Sequence, residues 1–198
     1  MVITTVVFDL GQVLIGWDPY LPFASEMSRA EWQRRADAAN FTALNLLSDG
    51  GTPTQEIIAR AAERDPAHGE FMARYFTGAD EALTGPIPGT AEIVAELKAA
   101  GIRVLGLTNW SAETIHLGPA KAPAIGELEG IVVSGEERVT KPDPEIFRRL
   151  IARYDLDPVR TVFIDDSSRN VAAAAELGFV AIQFTDAAQL RARLAGVL

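Results

Sequence analysis

Four places along this chain carry side chains suited to handling a phosphoryl group. Asp9 ends the apolar run Val6-Val7-Phe8, and Gly11 just beyond it lets the chain turn sharply. Thr108 ends the run from Ile102 to Leu107, and the pair Asp165-Asp166 ends the run from Thr161 to Ile164. Lys141 stands in Thr140-Lys141-Pro142-Asp143-Pro144, directly before a helical stretch. Each has an ordinary reading: Asp9 as a helix cap or turn residue, Thr108 as a hydroxyl serving its own backbone, Lys141 as a solvated lysine, Asp165-Asp166 as an N-cap and its neighbour. Together they have one chemical meaning. Carboxylates from two strand ends can hold Mg²⁺, a cation that prefers oxygen ligands. The metal and Lys141 then neutralise a phosphoryl group, while the Thr108 hydroxyl and nearby backbone N–H groups hold its other oxygens. Asp9 attacks phosphorus in line, and water hydrolyses the aspartyl-phosphate. Without the cation, a phosphate and three carboxylates repel one another.

The elements that must position these groups alternate. The stretch from Ile3 to Phe8 reads as a buried strand. From Thr90 onward strands and helices take turns: a helix capped by Thr90 and stopped by Gly101, strands over 102–107, 131–133, 161–164 and 180–184, and helices opened by Asp143-Pro144 and Ser167, with a last one over 187–195. Repeated units of this kind predict an α/β fold, a Rossmann-like parallel sheet with helices on both faces. Residues 16–85 interrupt it. They read as mostly helical, with Asp18-Pro19 as a cap and first helical position and a turn at Ser48-Asp49-Gly50-Gly51-Thr52-Pro53. A small helical cap inserted after the first strand lies over Asp9, where a lid excludes water and selects substrate. The expected core is residues 1–15 and 86–198, joined to the cap at the proline- and glycine-rich junction Thr84 to Gly89.

Composition narrows the partners. A formal charge of −9 over 198 residues argues against nucleic acid, which needs a basic face. There is no cysteine, so disulfides and thiolate metal sites are excluded. No apolar run approaches the ~18 residues of a membrane span, and the start shows no secretory-signal pattern. A cytoplasmic location and a small phosphorylated metabolite as partner are the expectations; the oligomeric state is open.

The order Phe8-Asp9-Leu10-Gly11-Gln12-Val13, then Leu107-Thr108-Asn109, then Lys141-Pro142, then Phe163-Ile164-Asp165-Asp166 resembles the haloacid dehalogenase-like (HAD) hydrolase superfamily. The resemblance runs end to end, and the helical insert is similar to the C1 cap of its subfamily I. It implies that Asp9 is nucleophile and metal ligand, that the Gly11 carbonyl is a second ligand, and that Asp166 is the direct acidic ligand with Asp165 beside it or acting through water. It implies that Thr108 and Lys141 bind phosphate, with Asn109 lending its backbone N–H; Asn170, four residues after Asp166, either orients the acidic pair or is only a first-turn helix residue.

One position departs from the pattern. The common phosphatase motif has a second aspartate two residues after the nucleophile, as general acid; here it is Gly11. Losing a positioned acid typically costs about 10²–10⁴ in rate. Either another group or water supplies the proton, or the leaving group is a weak base, as in a sugar 1-phosphate, an acyl phosphate or an aryl phosphate. The Asp-Leu-Gly-x-Val form resembles a bacterial branch that includes sugar-phosphate phosphatases. Two rivals stand beside an Mg-dependent phosphatase. A metal-independent 2-haloacid dehalogenase needs no acid at Gly11, but adjacent Asp165 and Asp166 would repel its carboxylate substrate. A non-catalytic binding protein suits the missing acid but not the retention of Asp9, Thr108, Lys141 and both aspartates. Trp17 and Trp110 each follow a motif closely and offer either an aromatic wall or hinge packing.

Overall fold

The structure is a computed structural model that describes residues 2–198. The chain opens with β1 (Thr5–Phe8), a tight loop and β2 (Ile15–Trp17). Four helices follow: α1 (Arg29–Ala39), α2 (Phe41–Asp49), α3 (Thr54–Arg64) and α4 (Pro66–Thr77). Strand β3 (Leu83–Pro86) returns the chain to α5 (Thr90–Ala99), β4 (Arg103–Thr108) and the one-turn α6 (Gly118–Lys121). Then come β5 (Ile131–Val133), the one-turn α7 (Ser134–Glu137) and α8 (Pro144–Tyr154). The chain closes with β6 (Thr161–Asp165), α9 (Ser168–Glu176), β7 (Val180–Gln183) and α10 (Ala187–Ala195).

Five strands form one parallel sheet in the order β5-β4-β1-β6-β7. Alternation along β1 builds both faces. Val6 and Phe8 point into a layer with Ile93, Leu97 and Leu190 of α5 and α10, while Val7 points into a layer with Phe147, Leu150 and Ala174 of α8 and α9. The sheet is thus covered on both sides, as a parallel sheet requires. Strand order reverses at β1, which places a crevice at the carboxyl ends of β1 and β6. Register fixes what stands there. Phe8 pairs with Ile164, and the Asp9 N–H donates to the Ile164 carbonyl at 2.8 Å, so Asp9 comes level with Asp165.

Helices α1–α4 pack around their own cluster of Phe23, Trp32, Phe41, Ile57, Phe71 and Met72. Ser28 caps α1, accepting from the Glu31 N–H, and Asp65 caps α4 ahead of Pro66. The sequence reading missed β2 and β3, which pair antiparallel as the two stems of this insert. Their ladder joins Ile15 to Pro86 and Trp17 to Leu83, so it straddles both expected boundaries, 15/16 and 85/86. Strands of three and four residues containing Gly16, Gly85 and Pro86 show no alternation, and only closure of the chain makes them pair. Asp18-Pro19 does not open a helix either. Asp18 accepts from the Tyr20 N–H in a turn that leads into the 3₁₀ segment Leu21–Phe23. Thr90 is the first residue of α5 and not its cap, and its hydroxyl donates to the Ile87 carbonyl. Among the described residues no helix is long and apolar enough to cross a membrane.

Candidate active site

Asp9, Lys141 and Asp165 meet at the carboxyl edge of the sheet. The Lys141 ammonium, with no exposed side-chain surface, lies 2.9 Å from Asp9 Oδ1 and 2.7 Å from Asp165 Oδ2, and donates to the Leu107 carbonyl at 2.9 Å. All three of its N–H donors are therefore placed. Asp9 Oδ1 also accepts from the Leu10 N–H at 2.7 Å, which leaves Oδ2 as the oxygen not held by these donors. Burial pushes the Asp9 carboxyl up to about 7; Lys141 opposes the rise and Asp165 adds to it. Burial disfavours the Lys141 ammonium, but Asp9 and Asp165 more than offset it, so its pKa stands above the usual lysine value.

The adjacent aspartates differ. Asp165 is fully buried and spends both oxygens inside the protein: Oδ1 accepts from the Ser167 N–H and Asn170 Nδ2, Oδ2 from Lys141 and the same Asn170 nitrogen. Asp166 is exposed at the rim, and its pKa is raised first by burial of its carboxyl and then by the Asp165 charge. One carboxylate oxygen from each of Asp9, Asp165 and Asp166 lies within 4.8 Å of the others. Three carboxylates around one ammonium leave an excess of negative charge, and an all-oxygen donor set of this kind fits a hard divalent cation such as Mg²⁺.

Asn109, expected to act through its backbone, uses its side chain to clasp Lys141: Oδ1 accepts from the Lys141 N–H at 2.8 Å and Nδ2 donates to the Lys141 carbonyl at 2.9 Å. Thr108 is buried at the end of β4, level with Val133. Gly11 sits in the loop after Asp9, bridged to Ile15, and a Cβ built there would meet nothing within 4 Å.

Above these groups the insert and the sheet edge enclose a cavity of about 190 Å³. Trp17, Tyr75, Phe76, Leu83, Trp110 and Leu117 give its wall an apolar, aromatic side, so both tryptophans face it. Trp17 Nε1 donates to the Tyr75 hydroxyl at 3.3 Å. Arg29, Arg34, Arg35, Arg60, Arg64 and Arg74 of the insert do not line it; Arg29, for instance, pairs with Asp18, and Arg74 with Glu26 and Glu81. The segment from Ser134 to Arg138 ties insert to core. Ser134 Oγ donates to the Asp49 carbonyl at 2.5 Å and accepts from the Trp110 N–H at 3.0 Å. Sequence reasoning passed over Asp49, which also lines the cavity. It looked like one more turn residue.

The family model for the haloacid dehalogenase-like hydrolases matches residues 3–178. The chain belongs to this family. It is 24% identical over 180 residues to the sesquiterpene phosphatase astK of Aspergillus oryzae, covering 91% of this HAD chain and 89% of that protein. It is 32% identical to acyl-CoA dehydrogenase family member 10 of Mus musculus over 90% of this chain, but spans only 17% of that protein. Two solved structures share the HAD fold. A HAD family enzyme of Bacteroides thetaiotaomicron, in complex with magnesium and inorganic phosphate, superposes with a TM-score of 0.67 at 21% identity, over 93% of this chain and 95% of that one. The L-2-haloacid dehalogenase of Xanthobacter autotrophicus superposes with a TM-score of 0.64 at 19% identity, over 98% and 83%.

Proposed function

We infer that this HAD hydrolase is an Mg²⁺-dependent phosphatase that cleaves a small phosphate monoester through an aspartyl-phosphate on Asp9. The observation that carries the reading is the third carboxylate. Asp9, Asp165 and Asp166 outnumber Lys141, the one ammonium among them, and the cavity above has no lysine, arginine or histidine among its described lining residues. A haloacid would bring its own carboxylate into that field with no cation to receive it, whereas a divalent cation and a phosphate enter it together.

Asp9, the Gly11 carbonyl and Asp166 would hold the metal, with Asp165 behind them. The bound ion would supply charge neutralisation between the carboxylates and the phosphoryl oxygens. Lys141, held by Asp9, Asp165 and the Leu107 carbonyl, would lend its positive charge beneath the same oxygens, and the Thr108 hydroxyl and the Asn109 N–H take the others. Asp9 Oδ2 attacks phosphorus as the bond to the leaving oxygen breaks, and water then displaces Asp9 from phosphorus. The leaving alcohol occupies the cavity under the insert, whose closure keeps bulk water off the intermediate. Aromatic walls favour an alcohol with a flat or hydrocarbon face over one studded with hydroxyls. The phosphatase named among its relatives acts, by its name, on a sesquiterpene, which is in keeping with such walls.

The test is a panel of phosphate monoesters and 2-haloacids on wild type and Asp9→Asn, with Mg²⁺ or EDTA. Phosphate release by wild type with Mg²⁺ alone, lost in Asp9→Asn, is expected. Chloride release that survives EDTA would replace this reading with dehalogenation.

A further inference from the structure

The position that would carry a general acid is Gly11, and no side chain of the β1 loop takes over its work. The cavity wall opposite offers a substitute. Asp49 is the only acidic residue lining the cavity among those described, and it shares that lining with Gly11. We propose that Asp49, brought over the sheet edge by α2, is the acid and base of the reaction, giving a proton to the leaving oxygen and taking one from the attacking water. This rests on the phosphatase reading above.

Placement is the first support. Asp49 ends α2, and its backbone is fastened to the core: the Ser134 hydroxyl donates to the Asp49 carbonyl while accepting from the Trp110 N–H, two residues past Thr108. Two residues on, Gly51 runs so close to α7 that a Cβ there would lie 2.5 Å from the Gly135 carbonyl oxygen. The carboxyl is thus carried by the insert but set by the sheet edge. Its bonding is the second. Oδ2 accepts one long bond, 3.3 Å from Asn45 Nδ2, and among the described residues no cation pairs with it, whereas Asp18, Glu31 and Glu137 elsewhere in the molecule are all paired. Its proton affinity is the third. Burial pushes the carboxyl up to about 7 against the pull of Lys141, so it holds a proton for part of the time at neutral pH, as a group that must both give and accept one should.

The steps balance. As Asp9 Oδ2 forms its bond to phosphorus, the bond from phosphorus to the alcohol oxygen breaks, and the Asp49 proton passes to that oxygen. The alcohol leaves neutral and Asp49 is left as a carboxylate. Water then adds to phosphorus with its proton passing to Asp49, the bond to Asp9 breaks, and inorganic phosphate leaves with both aspartates restored.

The experiment reads rate against leaving-group basicity. kcat and KM are measured for p-nitrophenyl, phenyl, benzyl and short alkyl phosphates at saturating Mg²⁺, on wild type, Asp49→Asn and the double variant Gly11→Asp/Asp49→Asn. Asp49→Asn should lower kcat/KM on alkyl esters by about 10²–10⁴ while leaving kcat/KM for p-nitrophenyl phosphate within about threefold, since transfer to Asp9 from a good leaving group needs no proton. It should lower kcat on every ester, because hydrolysis of the shared intermediate loses its base. The open space at Gly11 lets the double variant recover part of the alkyl activity. Retained kcat/KM on p-nitrophenyl phosphate shows in the same preparation that the variant is folded. Equal losses of kcat/KM on every ester, or no loss on any, would overturn the assignment. Wild type inactive on the whole series would instead sink the phosphatase reading itself.

Discussion

Asn109 holds Lys141 by both backbone polar groups, its carboxamide matching the Lys141 N–H at 2.8 Å and the Lys141 carbonyl at 2.9 Å. The lysine that bridges Asp9 and Asp165 is therefore aimed from β4, two strands away from Asp165. Asn109→Ala removes both bonds. It should cost about 1–3 kcal/mol of stability and, by loosening the ammonium, about 10²-fold in kcat. Asn109→Asp should be no rescue, because it sets a carboxylate oxygen against the Lys141 carbonyl. Urea unfolding and steady-state kinetics on the two variants check this.

Lys141→Met strands two buried carboxylates. At pH 8 it should destabilise the protein by about 3–5 kcal/mol, as breaking a buried ion pair from one side does. The cost should shrink as pH falls. The Asp9 carboxyl is already raised by burial against the pull of Lys141, and without the ammonium it stands further above its unfolded value, so protonation stabilises the folded form at low pH and that gain is lost as pH rises. Denaturant midpoints at pH 5 and pH 8 check the sign.

Asp49 gives a second pH signature. Its carboxyl is raised from 3.8 to about 7 on folding. Between those values the folded state binds a proton that the unfolded state has lost. The contribution to stability is fully present below the lower value and is gone once pH passes the upper one. Asp49→Asn removes this dependence, so its stability relative to wild type should rise from pH 4 to pH 8. A constant difference across that range would contradict the shift.

Gly51 has φ +86° and no room for a side chain beside the Gly135 carbonyl. Gly51→Ala should destabilise by about 1–3 kcal/mol through strain at that turn. It should also lower turnover of alkyl phosphates more than aryl ones, because the turn sets Asp49. Thermal unfolding and the two substrates measured together check both halves.

The core was readable because its chemistry and its strands coincide. Apolar runs ending at Asp9, Thr108 and Asp165 mark β1, β4 and β6, and in a parallel sheet the ends of those three runs share one edge. Groups that meet only through tertiary closure were not readable. Strands β2 and β3 carry no alternation and pair because the insert must leave and return at one place. Asp49 lies in a Ser-Asp-Gly-Gly turn far from Asp9 in sequence, and nothing local shows that Ser134 will fasten it to the sheet edge. The apolar Leu46 and Leu47 sit 53% and 37% exposed on α2, while Phe41 reaches the core of the insert and Leu44 packs against it.

The central claim is a phosphoryl group carried on Asp9. Mixing the protein with a labelled phosphate monoester, quenching in acid within the first turnover and mapping the label by peptide mass spectrometry tests it directly. Label on the peptide holding residue 9 with Mg²⁺ present, and none with EDTA or in Asp9→Asn, is the expected result. Phosphate released through full turnovers with residue 9 never labelled would contradict it.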